Sequence, residues 1–332
     1  MSVDFFIEAV VKCLVVFLVL LTAVAYLVFI ERRVLAHIQS RIGPNRVGPQ
    51  GLFQPAADAL KLMTKETVIP EAADRILFLV APVVSLVPAL LTFAVIPVGA
   101  TVDLFGREVA LRITDINVAL LFLLALSSIG VYGIFLGGWS SNNKYALLGG
   151  IRSSAQMISY ELSMGMSVIG VIMLAGSFSL VDIVNAQSTV PFIVYQPLGF
   201  VLFSIAAMAE INRTPFDLPE AEPELVAGYH TEYSGMRFAM YFLGEYANLI
   251  TVCAIGTVLF LGGWLVPWPS PAWMAPLWMV GKMGILIFLA IWTRGTLPRF
   301  RFDQLMTFGW KVMLPAALVN IFLTAVVMAF LN

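Results

Sequence analysis

Charge, cysteine and histidine are all scarce in this chain of 332 residues. Only 12% of residues are charged against 60% hydrophobic, and the mean hydropathy is +0.92. A soluble domain of this size must wet its exterior, so the composition reads as an integral membrane protein. The formal net charge of -1 gives no footprint for nucleic acid. Cys13 and Cys253 lie in separate apolar runs, and His37 and His230 are the only histidines. So few ligands, so widely spaced, exclude an iron–sulfur cluster on this chain and leave no structural zinc set. Walker A loops and dinucleotide fingerprints are missing too. Any redox centre that the chain serves is expected on a partner.

What the chain does have is long apolar runs. Eight of them reach the roughly 20 residues that a spanning helix needs. They are Phe5–Ile30, Ile76–Val98, Ile116–Gly138, Ser154–Ala175, Phe192–Ile211, Phe238–Leu265, Trp273–Thr293 and Val312–Leu331. The opening MSVDFFIEAVVK lacks a basic n-region and a small-residue cleavage site, and reads as part of a retained first span. Pro82, Pro88 and Pro97 are expected to kink the second span. Trp139, Trp264, Trp268 and Trp310 fall near span ends, as an interfacial belt requires.

Loop charge sets an expected orientation. Loops after odd-numbered spans hold Arg32 through Arg75, Lys144 and Arg152, Arg213 and Arg237, and Arg294 through Lys311; those after even-numbered spans hold Arg107 and Arg112. The positive-inside rule places the odd loops in the cytoplasm and both termini outside. In the first loop Gln54, Asp58, Lys61 and Lys65 recur at helical spacing, with Leu52, Ala56, Leu60 and Met63 on another face. The expected fold is an all-α integral membrane protein of eight transmembrane helices plus an amphipathic helix at the cytoplasmic surface. It forms one polytopic domain over residues 1–332, with long cytoplasmic loops at 31–75, 212–237 and 294–311.

The acids are concentrated. Ala209–Tyr246 holds Glu210, Asp217, Glu220, Glu222, Glu224, Glu232 and Glu245, seven of the 20 in the chain. A carboxylate at membrane depth is costly unless paired, hydrated or protonated, and such residues mark ion or proton paths. Glu161 lies about two turns inside the cytoplasmic end of the fourth expected span, Glu245 at similar depth in the sixth, and Glu210 at the end of the fifth. Three carboxylates at like depth are expected to form one buried cluster that shares protons near neutral pH. The plainer alternative is a structural network, with Glu210 paired to Arg213 at i+3. In the loop, Pro215, Pro219 and Pro223 stiffen an acid string that composition alone would read as a solvated face. Glu31, Arg32 and Arg33 cap the first span, and Lys282 is expected to snorkel without a further role.

Four stretches carry a resemblance. Glu31–Glu66 (ERRVLAHIQSRIGPNRVGPQGLFQPAADALKLMTKE), Gly137–Glu161, Pro215–Gly235 and Arg294–Lys311 resemble, in order, one membrane subunit of respiratory complex I. That family is the H subunit of the bacterial proton-translocating NADH:quinone oxidoreductase, called subunit 1 in mitochondria. The resemblance implies a core subunit in the bacterial inner membrane that forms the membrane part of a quinone cavity and couples quinone reduction to proton translocation. It implies contacts with hydrophilic quinone-site subunits at the cytoplasmic loops, with small membrane subunits and with lipid. Quinone is then the substrate, and FMN and iron–sulfur clusters sit on partners, with none bound here. By the same resemblance Glu161, Glu210 and Glu245 match the family's glutamate path, and Asp217, Glu220, Glu222, Glu224 and Glu232 its link to quinone chemistry. Glu31, Arg32, Arg41, Asp58, Arg294 and Arg299 match the quinone channel, where Tyr233 and Phe242 offer aromatic faces or simply pack. Two rival readings are the homologous subunit of a membrane-bound hydrogenase and a free-standing ion-coupled transporter. The basic loops and the lack of internal repeats speak against the transporter.

Overall fold

The computed structural model describes residues 3–104, 107–217, 226–268 and 270–331. Seven helices in it are long and apolar enough to cross a membrane. The first is α1 (Val3–Ile38), 36 residues and roughly 54 Å long. It runs eight residues past the expected end of the first span, so Glu31, Arg32 and Arg33 sit on the helix instead of opening a loop. The short surface helix α2 follows (Gln54–Thr64). Then come α3 (Arg75–Leu91), α4 (Ala119–Ser140) and α5 (Lys144–Ala175).

Local chemistry fixes several of these ends. The Asp74 carboxylate caps α3 by accepting from the backbone N–H groups of Ile76 and Leu77 at 3.0 and 3.1 Å. Asn143 caps α5 in the same way through Tyr145 N–H at 2.9 Å, and Gly176 closes it in the left-handed conformation at φ 67°. α5 therefore begins ten residues before the expected fourth span. Helices α3 and α4 approach so closely that a Cβ added at Gly133 would lie 2.5 Å from the Ser85 backbone nitrogen.

The fifth expected span is broken. A one-turn helix, α7 (Phe192–Tyr195), follows the short α6 (Leu180–Ala186) and is separated by Gln196 from α8 (Pro197–Glu210), 14 residues and roughly 21 Å long. Pro197 cannot continue a preceding helix because it has no N–H to donate. The Gln196 side chain holds the break together, accepting from Asn320 at 2.9 Å and donating to Thr324 at 2.6 Å. The described residues thus contain seven full-length apolar helices and this shorter one, where eight continuous spans were expected.

Two long helices and a compound one complete the chain. α9 (Gly235–Phe260) is the most enclosed, with 72% of its apolar window buried, against 22% for α1 and 17% for the helix containing α10 (Ala275–Thr296). The last helix starts at Phe302, earlier than expected: α11 (Phe302–Phe308) passes through a widened turn at Gly309–Met313 into α12 (Leu314–Leu331). A π-type turn gives room for the ring of Pro315, which would clash with the carbonyl four residues back in regular helix. The anticipated loop at 294–311 shrinks to the few residues between α10 and α11. A small antiparallel hairpin of β1 (Thr101–Leu104) and β2 (Arg107–Ala110) lies between α3 and α4.

Loop hydrogen bonds sort the helix ends into two groups. At one end Asp74 N–H donates to Ser140 O at 3.1 Å and Phe300 N–H donates to Pro215 O at 3.1 Å. These contacts gather the starts of α3, α5 and α9 with the ends of α1, α4, α8 and α10. At the other, Leu120 N–H donates to Phe178 O at 3.2 Å, Thr114 N–H to Ala94 O at 3.2 Å, and the Gln187 amide to Val258 O at 2.8 Å. The basic loops collect at the first end, and Arg112 lies at the second.

Candidate functional site

The first end of the bundle holds most of the charge. Arg213 stands in the turn that follows α8, where Asn212 adopts a left-handed conformation at φ 51°. Buried Gln156 on α5 fixes this turn by donating to the carbonyls of Ala209 and Phe216, both at 2.7 Å. Arg213 is thereby aimed between α1 and α9, away from Glu210, and the i+3 pair considered above does not form. Its guanidinium instead donates to Glu31 and, at 2.8 Å, to Glu245, and lies 4.1 Å from the centroid of the Tyr246 ring. Glu31, only 2% exposed, also accepts from Arg294 at the end of α10. Two carboxylates and two guanidiniums from four parts of the chain make a neutral set.

Glu161 and Glu210 have a different environment. Glu161 lies about 25 Å along α5 from the helix start, deeper into the helix than the shorter expected span implied. Among the described residues neither acid has an ion-pair partner. Each is held by a hydroxyl from α4: Ser127 donates to Glu210 and Ser128 to Glu161. The other oxygen of Glu210, Oε2, is buried without a protein partner. Ser127 and Ser128 are neighbours on α4, so both acids approach the same stretch of that helix.

Two small cavities adjoin Glu210. One, about 30 Å³, is lined by Ser85, Asn212, Tyr229, Tyr241, Glu245 and Asn248 as well as Glu210. The other, about 40 Å³, shares Ser85, Glu210 and Asn248 and extends to Ser127, Thr92 and Thr251. Each has room for roughly two or three waters. Glu245 and Glu210 therefore face one void, and Glu161 joins Glu210 through the serine side. Glu210 thus has Glu245 across one void and Glu161 on the serine side, and the three acids lie in two chemical settings.

Asp217, 3% exposed, accepts from Arg299 at 2.8 Å, and Phe216 stacks on Phe300 with ring centroids 5.7 Å apart. Glu232 accepts from Asn143 at 2.7 Å. Glu220, Glu222 and Glu224 lie outside the described residues. Arg32 donates to Asp58 of α2 at 2.7 Å, whereas exposed Arg41 meets only Gln39 at 2.7 Å. Tyr233 is stacked on Phe78 with centroids 4.1 Å apart and edge-on to Tyr241, deep in aromatic packing. Phe242 is half-buried between Phe238 and Tyr246. Burial pushes the His230 imidazole down to about 4.

Lys282 has defined partners. Its ammonium donates to the carbonyls of Leu261, Gly263 and Leu265 at 2.6, 3.0 and 2.5 Å, closing the C-terminal end of α9. All three carbonyls belong to the turn that follows Phe260, and the ammonium uses its three donors there. Charge position alone could not reveal this, and it missed Ser127, Ser128 and Gln156 as well. Their only trace in the sequence is polarity inside apolar runs.

The family model described as NADH dehydrogenase matches residues 11–325. One NADH-quinone oxidoreductase H subunit of Geobacter metallireducens is 60% identical over 313 residues, covering 94% of each chain. An H subunit of the same enzyme from Geobacter sulfurreducens is 58% identical, covering 96% of each chain. The H subunit of Thermomicrobium roseum is 55% identical over 93% of this chain and 92% of its own.

Proposed function

Starting from the fact that this chain belongs to the family of NADH-quinone oxidoreductase H subunits, and is a multi-pass membrane subunit of that enzyme, we propose that it couples quinone chemistry to proton movement through Arg213. The observation that carries this is the double contact of Arg213 with Glu31 on one side and Glu245 on the other. Glu31 and Arg294, with Arg32, Asp58 and Arg299 nearby in the fold, form the polar wall of the quinone cavity. Arg41, Tyr233 and Phe242 belong to its surroundings. The two cavities beside Glu210 are about 30 and 40 Å³, far below the roughly 300–1,000 Å³ of a ligand pocket. Partner subunits at the first end of the bundle therefore complete the quinone site, and they carry the flavin and the clusters. The first end faces the cytoplasm, both termini lie outside, and α7 with α8 makes the eighth crossing.

Charge balance gives the direction of coupling. Quinone reduction places negative charge beside Arg294 and Glu31 until protons arrive. Negative charge there draws the Arg213 guanidinium toward it and weakens its hold on Glu245. A carboxylate released from a cation in a low-dielectric site takes up a proton more readily. Glu245 shares a water-sized void with Glu210, which leads to Glu161, and the path continues into the neighbouring membrane subunits. Asp217 and Glu232, with Glu220, Glu222 and Glu224, are the loop acids that respond to the same charge change. The test replaces Glu161 or Glu210 by Gln and measures NADH-driven acidification of vesicles containing the assembled complex. Loss of pumping is expected; unaltered pumping would refute the assignment.

A further inference from the structure

Two hydroxyls that a search for charges passes over stand between the cation-free acids. Ser127 and Ser128 are consecutive on α4, so their side chains leave the helix roughly 100° apart and reach different neighbours. One meets Glu210 on α8 and the other Glu161 on α5. Ser128 Oγ also lies 3.1 Å from the Leu124 carbonyl, one turn back on its own helix. A hydroxyl has one proton to give and two lone pairs to receive with. When Glu161 is a carboxylate, Ser128 donates to it. When Glu161 is a carboxylic acid, Ser128 accepts its proton and turns its own toward Leu124. Glu161 therefore keeps its hydrogen bond in both protonation states, without a neighbouring positive charge that would favour the carboxylate. Glu210, 9% exposed, is held at one oxygen by Ser127 while its unpartnered Oε2 is left for the adjoining void.

We propose that Ser127 and Ser128 are positioning residues for proton coupling, a hydroxyl pair that holds Glu210 and Glu161 in place through the loading and unloading of a proton. This rests on the role assigned above to those two acids. The pair works through hydrogen bonding, so threonine, which keeps the hydroxyl, substitutes for serine, and alanine does not.

The test uses the whole complex in proteoliposomes, with S127A, S128A, S127T, S128T, E161Q and E210Q compared for assembly, quinone KM and NADH-driven acidification. The alanine variants are expected to assemble, keep the quinone KM and lose about tenfold in coupled rate, equivalent to one forfeited hydrogen bond. The threonine variants are expected to pump within about twofold of the parent. Infrared difference spectra should show the protonated-carboxyl band displaced in the alanine variants and restored in the threonine ones. Assembly and pumping by the threonine variants alone would equally support a hydroxyl requirement. Alanine variants that pump at the parental rate would overturn the proposal. So would threonine variants as impaired as the alanine ones, or failure of both sets to assemble. If E161Q and E210Q pump normally, the reading of the two acids falls with it; if they do not while the alanine variants do, only the hydroxyl role is lost.

Discussion

Glu31 and Glu210 are both buried acids in a membrane subunit, and they are held by opposite means. Glu31 accepts from two guanidiniums, and Glu210 accepts from one serine hydroxyl with no cation beside it. A buried ion pair locks a carboxylate in its charged form, because either partner alone would be a desolvated charge. A hydroxyl supports a carboxylate or a carboxylic acid at similar modest energy. One setting fixes charge and the other lets it change. Glu245 stands at the boundary, paired to Arg213 yet lining the void that it shares with Glu210. Under the coupling proposed above, one part of the chain senses charge and another carries protons, with Arg213 between them.

The most damaging way to break this division is at Arg213. Replacing it by Met leaves Glu245 without its guanidinium and Glu31 with Arg294 alone. Breaking a buried pair by removing one partner costs about 3–5 kcal/mol. The expected outcome is a large loss of assembled complex, read by native gel electrophoresis and by thermal unfolding of what remains. Arg213→Lys restores the charge but not the fork that reaches both acids, and should recover assembly more than pumping. Equal recovery of both would argue that Arg213 is only a structural tie.

The next contrast lies between the two kinds of acid. Glu161→Gln and Glu210→Gln keep shape and a hydrogen-bond acceptor, so assembly should persist while coupled acidification falls by tenfold or more, about 1.4 kcal/mol in barrier. Glu31→Gln should do the reverse of this at first, lowering stability through one unbalanced positive charge before any effect on coupling is measured. If all three behave alike, the distinction between locked and exchangeable acids fails. A smaller effect is expected at Lys282, which has no part in either set. Lys282→Met removes charge-assisted bonds to three carbonyls and should lower thermal stability by about 1.5–3 kcal/mol, with NADH:quinone turnover within about twofold of the parent.

The apolar stripes were legible in the sequence because bilayer thickness imposes length on hydrophobic runs. Their polar extensions were not. Arg32 and Arg33 continue α1, and Lys144–Ser153 begin α5, because tertiary packing and caps such as Asn143 stabilise helix that hydropathy cannot see. The break before α8 had a visible cause in Pro197, but hydropathy averaging runs straight over a single proline. The acids were legible as candidates through their depth. Their partners were not, because neighbours in sequence are poor guides once a helix ends. Glu210 and Arg213 are three residues apart, yet α8 stops at Glu210 and the turn sends Arg213 to another pair of helices. Serine hydroxyls, being short and common in membrane helices, carry no signal until the structure shows what they touch.

The mildest test concerns Arg32 and Asp58, which pair at 2.7 Å where α1 meets the surface helix α2. Their side chains are 46% and 24% exposed, so the pair is screened by solvent and should contribute no more than about 1 kcal/mol to stability. Arg32→Gln and Asp58→Asn are therefore expected to leave thermal stability nearly unchanged, in contrast to Arg213→Met. If the pair lines the quinone route, its loss should still raise KM for a short-chain quinone, while turnover at saturating quinone stays near the parental value. Combining the two substitutions distinguishes the alternatives. A shared wall predicts that the double variant is little worse than either single one, because one interaction is removed in each case. Independent anchors for α2 predict additive losses in stability and no change in KM. A KM unchanged in all three variants would move the quinone route away from α2 and leave the Glu31–Arg294 side as its polar wall.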